Sequence, residues 1–141
     1  MLAMCLNNRS SALSDHQRGR FVGLDEEHYL TIGKVYVVLG MGIFETVLYL
    51  LVRDDTGGPA FAHAAMFDCS AQPIPPDWFF TLQDGIRASG NELWSHPTVA
   101  MWGYDALVND PRHAAMLGEQ EPSAIRRFME EFARRSRETG S

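Results

Sequence analysis

Hydrophobic positions fall into two regimes, a strand-like middle and a helix-like end. Residues 34–39 are dense in β-branched and aromatic side chains and lie between Gly33 and Gly40, which predicts a strand. Residues 43–53 are apolar on both alternating sets, the pattern of a central strand covered on both faces. A helix over 44–52 is the alternative. The expected junction of the two strands is Gly40-Met41-Gly42. Asp54-Asp55-Thr56-Gly57-Gly58 supplies turn chemistry: acidic side chains that fold onto nearby backbone, and glycines that accept positive φ. Residues 59–64 should return as the hairpin partner with Phe61 and His63 on one face, and Pro59 suits only the beginning of an edge strand. A short strand at 66–70 follows, then a connector at 71–76 held extended by Pro73, Pro75 and Pro76, then a strand at 78–82. Residues 83–91 read as a loop.

The last third changes period. Tyr104, Leu107 and Val108 fall three and four apart, which fits a short helix ending near Asn109. Asp110-Pro111 starts another helix, with a capping carboxylate and a proline in the first turn, and Gly118 is its expected left-handed cap. Pro122 opens the final helix, where Ile125, Phe128, Met129 and Phe132 form one apolar stripe. Glu130–Arg134 and Glu131–Arg135 are i,i+4 pairs expected on its wet face. Residues 1–20 show no clear period and read as a flexible tail outside the core. The expected organisation is one domain over 21–141, β-rich at 24–82 and mainly helical at 92–137.

Composition narrows the function classes. With 45% hydrophobic residues and 15 aromatics in 141 positions, the chain buries a core and is not disordered. Its net charge is −6, and residues 21–110 hold 12 acidic side chains against Lys34, Arg53 and Arg87. That acidic body repels nucleic acid and steers basic partners. Eleven of the 12 basic residues are Arg, a usage that suggests a GC-rich bacterial genome. Cys5 and Cys69 make no disulfide framework. No positively charged segment precedes an apolar run at the N-terminus, so the cytoplasm is the expected compartment. Residues 35–52 are long enough to span a membrane, but Glu45 near their middle and the glycine pair favour two buried strands.

Residues 30–67 resemble small bacterial SH3-like β-barrels. The likeness lies in Leu30-Thr31-Ile32-Gly33-Lys34-Val35-Tyr36-Val37-Val38, in Leu51-Val52-Arg53-Asp54-Asp55 before a glycine turn, in Phe61 and in Met66-Phe67. Some small proteins of this look are immunity partners of secreted toxins. The resemblance implies a small barrel, and with the helical last third the expected fold class is α+β: a small, strongly bent antiparallel sheet or SH3-like barrel followed by two or three C-terminal helices.

No motif commits the chain to catalysis. Gly40-Met41-Gly42 lacks the third glycine of a dinucleotide fingerprint, and Glu45 stands in its place. The five histidines show no zinc-ligand spacing, so no metal and no cofactor are expected. Cys69 and His63 on adjoining strands are the one nucleophile–base pairing available to a small hydrolase or transferase. The leading expectation is a non-catalytic protein-binding module, with neutralisation of a basic toxin as its concrete form. Its contact residues would be the carboxylates Asp25, Glu26, Glu27, Asp54 and Asp55 with the aromatics Trp94, Trp102 and Tyr104. A homo-oligomeric structural module is the further alternative.

Overall fold

A computed structural model describes residues 1–9, 13, 28–44, 47–69, 72–82 and 98–138. Among them are seven strands: β1 (Leu2–Cys5), β2 (Val35–Phe44), β3 (Val47–Arg53), β4 (Pro59–His63), β5 (Phe67–Asp68), β6 (Phe79–Leu82) and β7 (Thr98–Gly103). Three α-helices follow, α1 (Asp105–Asn109), α2 (His113–Gly118) and α3 (Pro122–Glu138). The fold is α+β, with an antiparallel sheet followed by C-terminal helices. The described strands leave the sheet open, without closure into a barrel.

β2 and β3 are the axis of the sheet. Phe44 and residues 47–52 lie in strands and not in the alternative helix, and β3 is covered on both faces as its double apolar pattern predicts. Leu50 and Val52 join one core, whereas Tyr49 and Leu51 join the other. The strand junction is not at Gly40-Met41-Gly42, because β2 runs on to Phe44 and β3 begins at Val47. The glycines serve close approach instead. A register shift between Val38 and Gly40 bulges β2 there, and Gly40 pairs directly with Gly103 of β7. A methyl group on Gly40 would overlap Leu107 Cδ2 and approach the Trp102 carbonyl oxygen to 2.9 Å.

The bulge divides one edge of β2 between two partners. β1 pairs with its first part, through Leu2↔Val37 and Met4↔Val35, and β7 pairs with Gly40–Phe44. Beyond β1 lies β5, and beyond β7 lies β6. Residues 1–20 are therefore not simply a tail. Leu2–Cys5 is an internal strand, with Ala3 and Cys5 each 1% exposed. Four alternating residues are too few to announce a strand, and pairing on both edges is what secures this one. β4 is an edge strand with Pro59 first, as expected, and Phe61 and His63 share a face by alternation.

The helices cover one face. Leu107, Val108, Leu117, Ala124 and Phe128 pack with Leu39, Leu51 and Met101. Tyr36, Val38, Leu50, Val52 and Met66 form the core of the opposite face with β1. The Asp110 carboxylate accepts from the Arg112 amide at 3.0 Å, as a capping residue should, but α2 begins only at His113. Gly118 is the last residue of α2 and not its left-handed cap. Gln120 takes that conformation, at φ 58°, and the Glu121 amide closes back on the Met116 carbonyl at 3.0 Å. Arg135 also departs from expectation. It is 5% exposed, bonded to Glu131 at 3.0 Å and to Asp77, just after the proline-rich connector, at 2.8 Å, so it ties α3 to the segment before β6. Arg134 is paired with Glu131 and Glu138. No helix among the described residues is long and apolar enough to cross a membrane.

Gly103 has φ 148°, and a methyl group there would stand 2.7 Å from Leu107 Cδ2 and 2.9 Å from the Leu39 carbonyl oxygen. Gly103→Ala is expected to destabilise the protein by about 2–4 kcal/mol through strain and overpacking. At this chain length that lowers Tm by roughly 5–15 °C in a thermal melt. An unchanged Tm would show that the strand–helix seam does not need a glycine.

Candidate functional site

The predicted contact residues separate into three groups. Asp25, Glu26, Glu27 and Trp94 lie outside the described residues. Asp54 and Asp55 are at the β3–β4 turn and are engaged locally. Asp54 accepts from the Thr56 amide at 2.9 Å and from its hydroxyl. Asp55 accepts from Lys34 Nζ at 2.8 Å, Thr31 Oγ1 at 2.6 Å and Tyr36 Oη at 2.8 Å. The Lys34 hydrogen bond is the largest cause holding the Asp55 carboxyl down at about 2. This pair clamps the segment before β2 onto the hairpin, which is turn chemistry and not a free acidic surface. Beside it, a groove of about 470 Å³ runs between the start of β2 and α3, with the Arg53 guanidinium 4.9 Å above the Phe132 ring.

The two remaining aromatics point to opposite sides. Tyr104 is 3% exposed and belongs to the helical-side core, so it is not a surface anchor. Trp102 is half-buried and packs against the core of the other face. There it stacks on Phe80, with ring centroids 4.8 Å apart, because β6 and β7 pair at Phe80↔Trp102. Phe80 and Leu82 share that face by strand alternation and are 51% and 74% exposed. β6 pairs only with β7 among the described residues, so these side chains project from an edge strand. Sequence reasoning reads 78–82 as a strand, but nothing local tells an edge strand from a central one. That distinction depends on which distant segment lies alongside.

A polar cleft of about 540 Å³ lies where α1, α2 and α3 meet, lined by Asp105, Asp110, His113, Ser123 and Arg127. His113 forms its floor. Its Nε2 is 2.5 Å from Tyr104 Oη, and both rings are buried. Burial pushes the Tyr104 phenol well above its ordinary range and holds the His113 imidazolium down, so the two meet as neutral groups. α1 places Tyr104 just ahead of its first turn, and the Asp110 cap sets the start of α2, so the pair is fixed by two helix starts.

No hydrogen bond joins Cys69 to His63 among the described residues. Cys69 is a half-buried free cysteine that borders the core containing Ala3 and Cys5. His63 is stacked on Tyr49 at 4.7 Å between centroids. Among the described residues, no three His, Cys, Asp or Glu side chains gather as a metal site would require. Compared with protein-family models, with curated proteins and with solved structures, the chain has no match.

These shifted groups make stability depend on pH in two windows. His113 binds its proton near pH 6.5 when unfolded and at lower pH when folded, so the stability it confers is complete above 6.5 and lost as pH falls below it. Asp55 has a folded value of about 2 against 3.8, so its contribution is present above 3.8 and is lost as pH falls toward 2. In urea titrations, His113→Gln should flatten the slope of stability between about pH 7 and 5, and Asp55→Asn should flatten the limb below about pH 4. Slopes that match the wild type in both variants would contradict these assignments.

Proposed function

We propose that the chain is a non-catalytic protein-binding module whose partner is a basic protein. Its concrete form is the immunity type that the SH3-like resemblance implies, in which a small acidic protein neutralises a basic toxin. The observation that carries this reading is the edge strand β6, which holds Phe80 and Leu82 in solvent above Trp102. Large aromatic and aliphatic side chains clustered in solvent mark contact surfaces, and anchors of this kind dominate binding energetics. The acidic body, with 12 carboxylates against three basic residues over 21–110, supplies the long-range attraction for a basic partner. The two features act on different steps: charge on association, the apolar strand on dissociation.

The test is association kinetics with the partner captured from the source organism. Replacing Phe80 and Leu82 together by Asp should raise the off-rate at least about tenfold while circular dichroism stays unchanged. Replacing Asp25, Glu26 and Glu27 by amides should slow association, and the loss should shrink as salt rises above about 0.1 M. Asp54 and Asp55 are left intact because they hold their own turn. Unchanged kinetics in both variants would overturn the reading. A concentration-dependent dimer of the chain alone, abolished by the β6 substitutions, would replace it with self-association.

A further inference from the structure

We infer that the partner adds a strand to the sheet: an extended segment, apolar and basic by turns, pairs its main chain with the open edge of β6. This inference rests on the reading of β6 as a contact surface and names how that surface is used. Among the described residues the sheet has three outer strands, β4, β5 and β6. An unpaired edge invites another chain, and proteins guard such edges with proline, with charge or with very short strands. β4 opens with Pro59 and buries Ala62 and His63. β5 is two residues long and ends on the exposed Asp68. β6 has none of these guards: it reads Phe79-Phe80-Thr81-Leu82, without proline or charge, and its register with β7 runs without a bulge.

That edge is open as well as unguarded. Among the described residues β6 pairs only with β7, from Phe79↔Gly103 to Leu82↔Ala100. In such an antiparallel ladder every second residue turns its N–H and C=O away from the partner strand. Alternate residues of β6 therefore present main-chain donors and acceptors outward. Phe79 and Phe80 lie on opposite faces by alternation and both are exposed, so water reaches the edge from either side. Charge chooses the occupant. Asp77, two positions before β6, belongs to an ion-pair cluster in which Asp77, Glu131 and Glu138 outnumber Arg134 and Arg135. α1 packs on β6 and opens with the exposed Asp105. A second copy would bring the same surplus of carboxylates to this edge, whereas basic side chains match it. Alternation then sets the pattern of the added strand. Its apolar residues lie on the face of Phe80 and Leu82, and its Lys or Arg residues lie on the helical face, where those carboxylates stand.

The experiment is a nuclear magnetic resonance titration of the whole chain with three synthetic heptapeptides, blocked at both ends. The first alternates lysine and valine, the second is the same peptide with every amide nitrogen methylated, and the third carries glutamate in place of lysine. The first should give saturable shifts at Phe79–Leu82 below about 5 mM and slow hydrogen exchange at alternate amides of β6. The other two should bind at least about tenfold more weakly, one for want of main-chain donors and one because its charge is reversed. Phe80→Asp together with Leu82→Asp should abolish the shifts while circular dichroism stays unchanged. The inference is overturned if no saturable shift appears, or if the methylated or the acidic peptide matches the first. It is equally overturned if the β6 shifts depend on protein concentration alone, which would make the occupant a second copy. The two readings fail separately. If the peptides fail and the captured partner still leaves the Phe80 and Leu82 variant faster, strand addition falls and the protein-binding reading stands. If that off-rate is unchanged as well, both fall.

Discussion

The helical side of this protein depends on two missing side chains. Gly40 and Gly103 face each other across β2 and β7, and Leu107 of α1 sits directly on them. With a Cβ at either position, the helix would be pushed off the sheet. Leu107 is 2% exposed, and the rest of its core (Leu39, Leu51, Met101, Phe128) closes around it. Gly103 matters twice, because its φ of 148° also turns the chain from the end of β7 into α1. The bulge beside Gly40 belongs to the same seam: it bends β2 where one partner strand gives way to the next.

Both candidate surfaces follow from that seam. On the helical face, the turn after Gly103 delivers Tyr104 to His113 and opens the polar cleft at the helix junction. On the other face, β7 carries Trp102 and pairs with β6, whose edge leaves Phe80 and Leu82 in water. Within β7, the successive residues Met101 and Trp102 serve opposite sides of the sheet, as strand alternation requires. The buried Arg135 and its bond to Asp77 fasten the helical layer to the connector leading into β6. A charge so placed is stabilised by its carboxylates, and removing them would leave it stranded.

Much of this architecture was legible in the sequence because it rests on local chemistry. The double apolar pattern of 43–53, the Asp-Asp-Thr-Gly-Gly turn, Pro59 at an edge and the three helix positions each report a constraint felt within a few residues. What escaped reading depends on distant partners. Leu2–Cys5 is a strand because β2 and β5 flank it, not because its residues demand it. Gly40-Met41-Gly42 looks like a junction, and only the approach of Gly103 and Leu107 shows why a strand passes through it. Arg135 looks like a solvated i,i+4 partner until Asp77 arrives from 58 positions away. The candidate sites divide in the same way. Asp54 and Asp55 were readable as turn residues, whereas the exposure of Phe80 and the burial of Tyr104 are properties of the assembled sheet.

The central functional claim is that a partner covers the β6 edge. Hydrogen–deuterium exchange of the chain, free and in complex with its captured partner, tests it most directly. Amides of Phe79–Leu82 should gain protection in the complex, because a bound surface removes their access to water, while those of β3, already inside the sheet, should stay unchanged. Protection confined to other elements, with β6 exchanging as fast as in the free protein, would contradict the account.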